Sequence, residues 1–160
     1  MTALRIRPIE KDDYDWIVDL LKKEWGSEKQ AYRGKLVDAS TAPGFVAERE
    51  GKPVGLLTYC FANDECEFVT LNSTVEGIGI GSALIEAVKK AAASAGCRRL
   101  WLITTNDNVE AMRFFQRRGF IFAAMYRDAI KQARTLKPEI PLIGKHGIPL
   151  RDEIELEMML

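Results

Sequence analysis

A glycine-rich stretch at positions 75–84 constrains this chain more than any other part of its sequence. It reads Val-Glu-Gly-Ile-Gly-Ile-Gly-Ser-Ala-Leu, and an amphipathic pattern of helical period follows it directly. Glycine permits backbone conformations that other residues avoid and lets a ligand approach the main chain closely. The first turn of a helix adds unpaired N–H groups and the positive end of the helix dipole. The stretch therefore predicts a strand-to-helix junction able to hold a phosphate or pyrophosphate group.

Length and charge limit the function classes that remain. The 160 residues suffice for one domain with a substantial core, so we expect a single domain over residues 1–160. The 23 basic and 23 acidic residues cancel to zero net charge, which argues against a nucleic-acid partner bound through a broad basic face. No apolar run approaches the roughly 20 residues that cross a bilayer, so no membrane partner is expected.

The cysteines and the single histidine bear on compartment and metal binding. Cys60, Cys66 and Cys97 are odd in number and contain no C-x-x-C pair, so reduced, buried thiols are the favoured interpretation. His146 cannot build a zinc site with such scattered cysteines, and no metal is expected. The first residues lack the apolar block of a signal peptide, and we expect a cytoplasmic protein.

Before the glycine stretch, period-two and period-3.6 patterns alternate. Strands are predicted at 4–8, 44–49, 53–62 and 65–72, and the last three form an antiparallel meander joined by tight turns.

Two helices are predicted between the first two of these strands. The first covers residues 12–25 and ends at Gly26. Ser27 and Gln30 have the spacing of a capping box, so a second, shorter helix is predicted over residues 27–37.

After the glycine stretch, the pattern changes to alternating helices and strands. A helix over 79–94 leads into a continuous apolar run at 100–104, which is typical of a strand covered on both faces. Strand 65–72, this helix and strand 100–104 form a βαβ unit, so the two strands should run parallel. A second helix begins at Asn106 or Asn108 and ends near Arg118.

The C-terminal third is less regular. A strand is predicted at 120–126, and residues 127–151 form a long loop or packing arm with a short helix at 128–136. A last strand at about 153–159 alternates glutamates with apolar residues, which predicts one solvent-exposed face. The fold class is therefore α/β (α+β), with a mixed, mostly antiparallel sheet flanked by helices.

Three kinds of phosphate-binding loop compete for the glycine stretch. A mononucleotide P-loop needs a lysine after its last glycine, but Ser82 follows Gly81. A dinucleotide fingerprint needs an acidic residue about 20 positions on, where Arg98 and Arg99 lie instead. The dinucleotide-binding fold also does not predict antiparallel strands before the loop, whereas this sequence does.

The third kind of phosphate-binding loop agrees better with the glycine stretch and with the strands before it. The order of elements resembles the GNAT superfamily of acetyl-CoA-dependent N-acetyltransferases over residues 3–126. Its signature is Gln or Arg, two residues, Gly, one residue, then Gly or Ala, and Gly79 and Gly81 match both glycine positions. A second family pattern matches downstream at Asn108, Ala111, Phe115 and Gly119-Phe120. Two motifs in the right order on the right elements make this resemblance specific.

The resemblance implies acetyl-CoA as the cofactor and assigns its binding residues. Backbone of the loop would hold the pyrophosphate, and backbone of Leu71 would hold the pantetheine arm and donate to the thioester carbonyl. Asn108 and Phe115 would adjoin that arm, and Arg118 would lie near the 3′-phosphate. The loop residues are Glu76, Gly77, Ile78, Gly79, Ile80, Gly81 and Ser82.

Two positions depart from the family pattern. Glu76 replaces the usual Gln or Arg, which puts a carboxylate near a phosphate. Phe115 replaces a tyrosine that protonates the leaving thiolate in many members, and phenylalanine has no proton to donate. A thiol has a pKa of only about 8.5, so the thiolate can leave with little help. Tyr126 is a candidate substitute.

The base should lie on the strand before the loop. Glu65 and Glu67 are two residues apart and so share one face. The position of Glu65 carries a glutamate base in some family members, and Glu67 lies one step closer to the cofactor.

The predicted function is transfer of acetyl from acetyl-CoA to a primary amine by direct attack. The acceptor, a small molecule or peptide, would enter between the first two helices and the late loop. A non-catalytic acyl-CoA sensor and a nucleotide-dependent oxidoreductase stay open as alternatives, as does a homodimer formed through the C-terminal segment.

Overall fold

A seven-stranded sheet organises residues 3–160, the part of the chain that the computed structural model describes. Its strand order is β1-β4-β5-β6-β7-β9-β8, and within the described residues only β6 and β7 run parallel. The elements are β1 (Arg5–Pro8), α1 (Tyr14–Trp25), β2 (Lys29–Tyr32), β3 (Lys35–Asp38), β4 (Gly44–Arg49), β5 (Lys52–Ala62), β6 (Glu65–Ser73), α2 (Ile80–Ser94), β7 (Arg99–Thr105), α3 (Val109–Arg117), β8 (Ile121–Tyr126), α4 (Ala129–Leu136) and β9 (Glu153–Met159).

The predicted meander and βαβ unit are both confirmed. Strands β4, β5 and β6 pair antiparallel in sequence, and α2 connects β6 to its parallel neighbour β7. The C-terminal strand β9 inserts between β7 and β8 and pairs antiparallel with both. It therefore presents no free edge, and the open edges of the sheet belong to β1 and β8.

Helices cover both faces of the sheet. Side chains of α2 and α3 pack on one face with Ala47 and Leu57, while α1 packs on the other with Val46 and Leu56. Successive strand residues point to opposite faces, which is why neighbours in β4 and β5 divide between the two clusters. The sheet is therefore the middle layer of three, as expected for this class.

The helix predicted over residues 27–37 is wrong, since the segment is the hairpin of β2 and β3. Ser27 Oγ accepts from the N–H of Lys29 (2.9 Å), two residues on, and so forms a local turn rather than a helix cap. Arg33 and Gly34 both have positive φ (49° and 73°), which is the requirement of a two-residue hairpin turn. Tyr32 is buried by the hairpin against the sheet, and this tertiary contact overrides the local signal.

The solvent-exposed face predicted for the last strand is also wrong. Glu153 is only 1% exposed, because the β2–β3 turn lies over it, and the side chains of Glu155 and Glu157 are 13% and 24% exposed. Both of these glutamates accept hydrogen bonds from Arg99, with a distance of 2.7 Å to Glu157. The predicted alternation of glutamates and apolar residues in β9 is present, but the glutamates accept hydrogen bonds from neighbouring residues and are buried or partly buried.

Residues 137–150, which follow α4, form an ordered segment that we call the arm. Arg134 holds it through carbonyl oxygens of Ile140 (3.3 Å), Pro141 (2.8 Å) and Leu150 (3.0 Å). Lys145 N–H donates to Asp107 at 2.8 Å, which fixes the arm to the start of α3. The arm is therefore a packing element with its own hydrogen bonds.

Candidate active site

Strands β6 and β7 pair over only part of their length. Pairing runs from Glu65–Arg99 to Phe68–Leu102, although β6 continues to Ser73 and β7 to Thr105. At this point Val69 is an extra residue in β6, since Thr58 pairs with Thr70 and Tyr59 with Phe68. Such a bulge bends the strand and re-aims its side chains. The two strands therefore diverge and leave the β6 edge without a strand partner.

The glycine loop stands at the end of β6 and leads into α2. Gly77 and Gly79 have φ of 79° and 80°, the left-handed conformation that glycine adopts without strain, and a side chain on either would meet open space. The first intrahelical bond of α2 runs from Ala83 N–H to Gly79 O (3.0 Å). The N–H groups of residues 79–82 therefore have no partner inside the helix, and they form an anion cradle at its positive end.

Other loop positions have different roles. A Cβ on Gly81 would lie 2.6 Å from Phe114 Cζ, so Gly81 allows α2 and α3 to pack closely. Ser82 Oγ accepts from Arg118 Nε at 2.9 Å, which brings that guanidinium to the cradle. Burial, with a smaller effect of Arg117, lowers the pKa of Arg118. Ile80 is buried, whereas Glu76 and Ile78 are exposed, so the Glu76 carboxylate can point away from the cradle.

Three cavities adjoin the divergence of the strands. The gap cavity, of about 90 Å³, is lined by both diverging strands, including Leu71, and by Phe115 of α3. The inner cavity, of about 110 Å³, is lined by Tyr32, Val69, Thr104 and Glu153. The outer cavity, of about 530 Å³, lies between the end of α1, the hairpin, α4 and the arm. Trp25 and Asn108 line all three, so the cavities are contiguous.

Asn108 and Phe115 connect the helix α3 to these cavities. Asn108 is the N-cap of α3, as predicted, and its Oδ1 accepts from Ala111 N–H (3.2 Å) and from Lys145 Nζ of the arm (3.3 Å). Phe115 is 7% exposed and packs edge-on against Phe120 at 5.2 Å between ring centroids. Its ring closes the gap cavity and brings no hydroxyl there.

The two predicted base candidates share one face of β6, and both are hydrogen-bonded. Glu65 accepts from Arg99 at 3.0 Å. Glu67 is 7% exposed, and its two oxygens accept separately from the hydroxyl of Tyr32 and from Lys35 Nζ (2.9 Å). Neither lines the gap, inner or outer cavity. Glu67 is connected to the inner cavity only through Tyr32, whose phenol has its pKa strongly raised by burial and by this carboxylate.

Glu153 is a buried carboxylate that the sequence analysis did not single out. It lines the inner cavity and accepts from the N–H of Arg33 at 3.1 and 3.3 Å, with Arg33 Nη at 3.5 Å. The glutamate alternation in β9 was its signal, but that pattern alone indicated a solvated face. Only the hairpin above β9 reveals that Glu153 is enclosed.

Tyr126, the candidate substitute acid, lies outside all three cavities. Its hydroxyl donates to Glu155 at 2.8 Å, and the guanidinium of Arg33 stacks 3.3 Å from its ring centroid. The hydrogen bond to Glu155, with burial second, raises the pKa of Tyr126. Leu71, Asn108 and Phe115 therefore line one cavity, and Tyr126 lies apart from them.

A family model matches the segment that contains the glycine cradle, the diverging parallel strands and α3. Residues 6–120 match the model of the acetyltransferase (GNAT) family. The chain belongs to this family. The resemblance based on two sequence motifs is thereby confirmed, and so is the predicted fold class.

The chain is also similar to individual proteins in sequence or in fold. The uncharacterized protein YdhI of Bacillus subtilis (strain 168) is 42% identical over 139 residues, which is 86% of this chain and 87% of YdhI. An IAA acetyltransferase from Bacillus cereus ATCC 14579 has the same fold, with a TM-score of 0.75, 21% identity, and coverage of 99% of this chain and 100% of its own. A Bacillus subtilis acetyltransferase in complex with CoA gives a TM-score of 0.71 at 18% identity, covering 99% of each chain.

Two further polar residues of the outer cavity had no local sequence signal. Gln30 was assigned to a helix cap, and Lys137 lies in a proline-rich segment without periodicity. Both line a space that forms only when the hairpin, α1 and the arm meet. Over residues 3–160, no group of three or more His, Cys, Asp or Glu side chains is placed so that it could hold a metal ion, and no helix is long and apolar enough to cross a membrane.

Proposed function

We propose that this protein is an N-acetyltransferase that moves the acetyl group of acetyl-CoA directly to a primary amine. The observation that carries the proposal is the divergence of β6 from β7 beside the anion cradle of α2. The cradle would hold the pyrophosphate, and the open backbone edge near Leu71 would hold the pantetheine arm in the gap cavity. Acetyl-CoA supplies a thioester whose carbonyl carbon accepts the amine.

The inner cavity is the proposed place of the attacking amine. Glu153 lines it and accepts from the N–H of Arg33, whereas Glu65 and Glu67 line none of the three cavities. As the N–C bond forms and the C–S bond breaks, the amine proton passes to Glu153, and the thiolate leaves with solvent as its proton source. Tyr32 orients the amine and couples it to Glu67.

Substituting each carboxylate separates these assignments. A positioned base contributes about 10²–10⁴-fold, so Glu153→Gln should lower kcat by that factor while acetyl-CoA still binds. Glu67→Gln keeps an oxygen for Tyr32 and should have a smaller effect, and Glu65→Gln should have the least. If Glu65→Gln or Glu67→Gln lost more activity than Glu153→Gln, the base would be the glutamate on β6 that the sequence predicts, and Glu153 would be rejected.

The cradle assignment has a matched pair of variants. Gly79→Asp introduces a carboxylate into open space at the cradle, and aspartate tolerates positive φ better than most residues. Gly96→Asp does the same at the other end of α2, where φ is 82° and the space is also open. Calorimetry should show that Gly79→Asp loses acetyl-CoA binding and Gly96→Asp keeps it. Equal affinities would reject the loop as the pyrophosphate site.

A second candidate function is an acyl-CoA sensor without turnover. Phe115 favours it, because the ring at the gap cavity cannot protonate the thiolate. Assays of CoA release over a panel of primary amines decide between the two. Binding of acetyl-CoA with no acetylated product from any amine would support the sensor.

A further inference from the structure

The outer cavity contains a buried ammonium group without an anionic partner. Lys137 is 7% exposed, and its Nζ donates to the backbone carbonyls of Trp25 (2.9 Å) and Lys29 (3.0 Å). Among residues 3–160 no carboxylate lies within ion-pair distance of it. Burial lowers the pKa of Lys137, and Glu139 offsets this only in part. Buried charges are normally paired, so this ammonium requires an explanation.

The two carbonyls account for only part of the hydrogen-bonding capacity of Lys137. An ammonium group has three N–H donors, and two are used. These two bonds fix the arm to the end of α1, where a cation also suits the helix dipole. They explain why a lysine is present, but they leave its third donor available to whatever occupies the cavity.

Gln30 provides an independent observation in the same cavity. Its Nε2 is buried and has no hydrogen-bond acceptor, the one such side-chain atom among the described residues. Leaving a buried donor unpaired costs about 1–3 kcal/mol, and native structures contain few of them. Gln30 lines both the outer cavity and the inner cavity, where the amine is proposed to lie.

We propose that the acetyl acceptor is an α-amino acid whose carboxylate binds in the outer cavity to Lys137 Nζ and Gln30 Nε2. This rests on the proposed acetyltransferase function and names its substrate class. The carboxylate lies at the wall shared by the two cavities, and the α-amine, one carbon away, enters the inner cavity toward Glu153.

The other residues of the outer cavity narrow this class. Three carboxylates line it as well, those of Glu24, Asp107 and Glu139, and they outnumber the two lysines, Lys137 and Lys145. This balance opposes a multiply charged anion such as a phosphate but accepts a zwitterion of zero net charge. Ile130, Ile140, Pro141 and Leu150 supply apolar surface. An amino acid with an apolar side chain, such as leucine, is therefore the acceptor that the cavity fits.

The first test compares acceptors that differ only in the carboxylate. L-leucine and 3-methylbutylamine are offered with acetyl-CoA, and CoA release and product mass are measured. Two charge-assisted hydrogen bonds predict a kcat/KM at least about 10-fold higher for leucine. Gln30→Leu and Lys137→Met should each lower the ratio of kcat/KM for leucine to kcat/KM for 3-methylbutylamine. Lys131→Met, on the exposed side of α4, the helix that precedes Lys137, is the control and should keep the preference.

The second test works without catalysis and separates the two proposals. N-acetyl-L-leucine and N-(3-methylbutyl)acetamide are titrated into the CoA-loaded protein, and affinity is measured by calorimetry. The acid should bind at least about 10-fold more tightly, and Gln30→Leu, which leaves both hydrogen bonds of Lys137 in place, should reduce this difference. Equal affinities in the unmodified protein would overturn the carboxylate site. A clear preference without turnover of any amine would keep that site and reject the acetyltransferase.

Discussion

Gly55 controls how closely the N-terminus of α2 approaches the sheet, and this makes Gly55→Ala the most informative packing variant. A Cβ at this buried position of β5 would lie closer than 3.0 Å to Ile80 Cγ2 and 3.2 Å from Leu84 Cδ1. Ile80 is the first residue of α2, so relieving the overlap displaces the helix turn that forms the anion cradle. The variant thus perturbs core packing and cofactor binding through a single methyl group.

The expected magnitude follows from two opposing terms. Overpacking a core costs about 1–3 kcal/mol, and replacing glycine by alanine returns about 0.4–1 kcal/mol by restricting the unfolded chain. The net loss of unfolding free energy should be about 1–2 kcal/mol, or a Tm lower by about 2–8 °C for a chain of this size. Urea unfolding measures the first quantity and thermal unfolding the second. Acetyl-CoA affinity should fall in the same variant.

A double-mutant cycle tests the cause. Ile80→Ala removes Cγ2, whereas Ile80→Val removes only Cδ1 and leaves the overlap in place. Gly55→Ala should therefore couple to Ile80→Ala by at least about 1 kcal/mol and to Ile80→Val by less than about 0.5 kcal/mol. Equal coupling to both, or a Gly55→Ala variant as stable as the parent, would refute the reasoning.

Two other regions give predictions of stability. Arg7 holds the pKa of Asp13 below its usual value of 3.8, through bonds of 2.7 and 2.8 Å. The ionised Asp13 carboxylate therefore stabilises the folded protein fully above pH 3.8, and this stabilisation is lost as the pH falls through the lower pKa of Asp13 in the folded state. The urea concentration at the unfolding midpoint should fall between pH 5 and pH 2, and it should fall less steeply for Asp13→Asn than for the unmodified protein. On β6, Glu67→Leu leaves the buried hydroxyl of Tyr32 unpaired and should cost about 1–3 kcal/mol in urea unfolding, while Glu67→Gln, which keeps an acceptor, should cost less. Similar losses for both Glu67 variants would argue against the Tyr32 bond as the cause.

Local signals predicted most of the secondary structure because their causes are local. Gly26 has φ of 79° and ends α1, and Asn108 caps α3, both as expected from sequence. The cradle was predictable for the same reason, since left-handed glycines and unpaired N–H groups belong to one short segment. The failure at residues 27–37 has the opposite cause: a capping-box spacing was present, but the Arg33-Gly34 turn and the burial of Tyr32 favour a hairpin.

The sequence by itself determined the alternation of strands and helices, the glycine cradle and the family, since each depends on neighbouring residues and on motif spacing. Only the tertiary structure decided which polar residues line the cavities beside the diverging strands. Glu153, Gln30 and Lys137 lie more than 100 positions apart at the extremes, and their exposure depends on the hairpin, α1 and the arm closing around them. Burial is a property of the assembled layers, and no pattern along one segment encodes it.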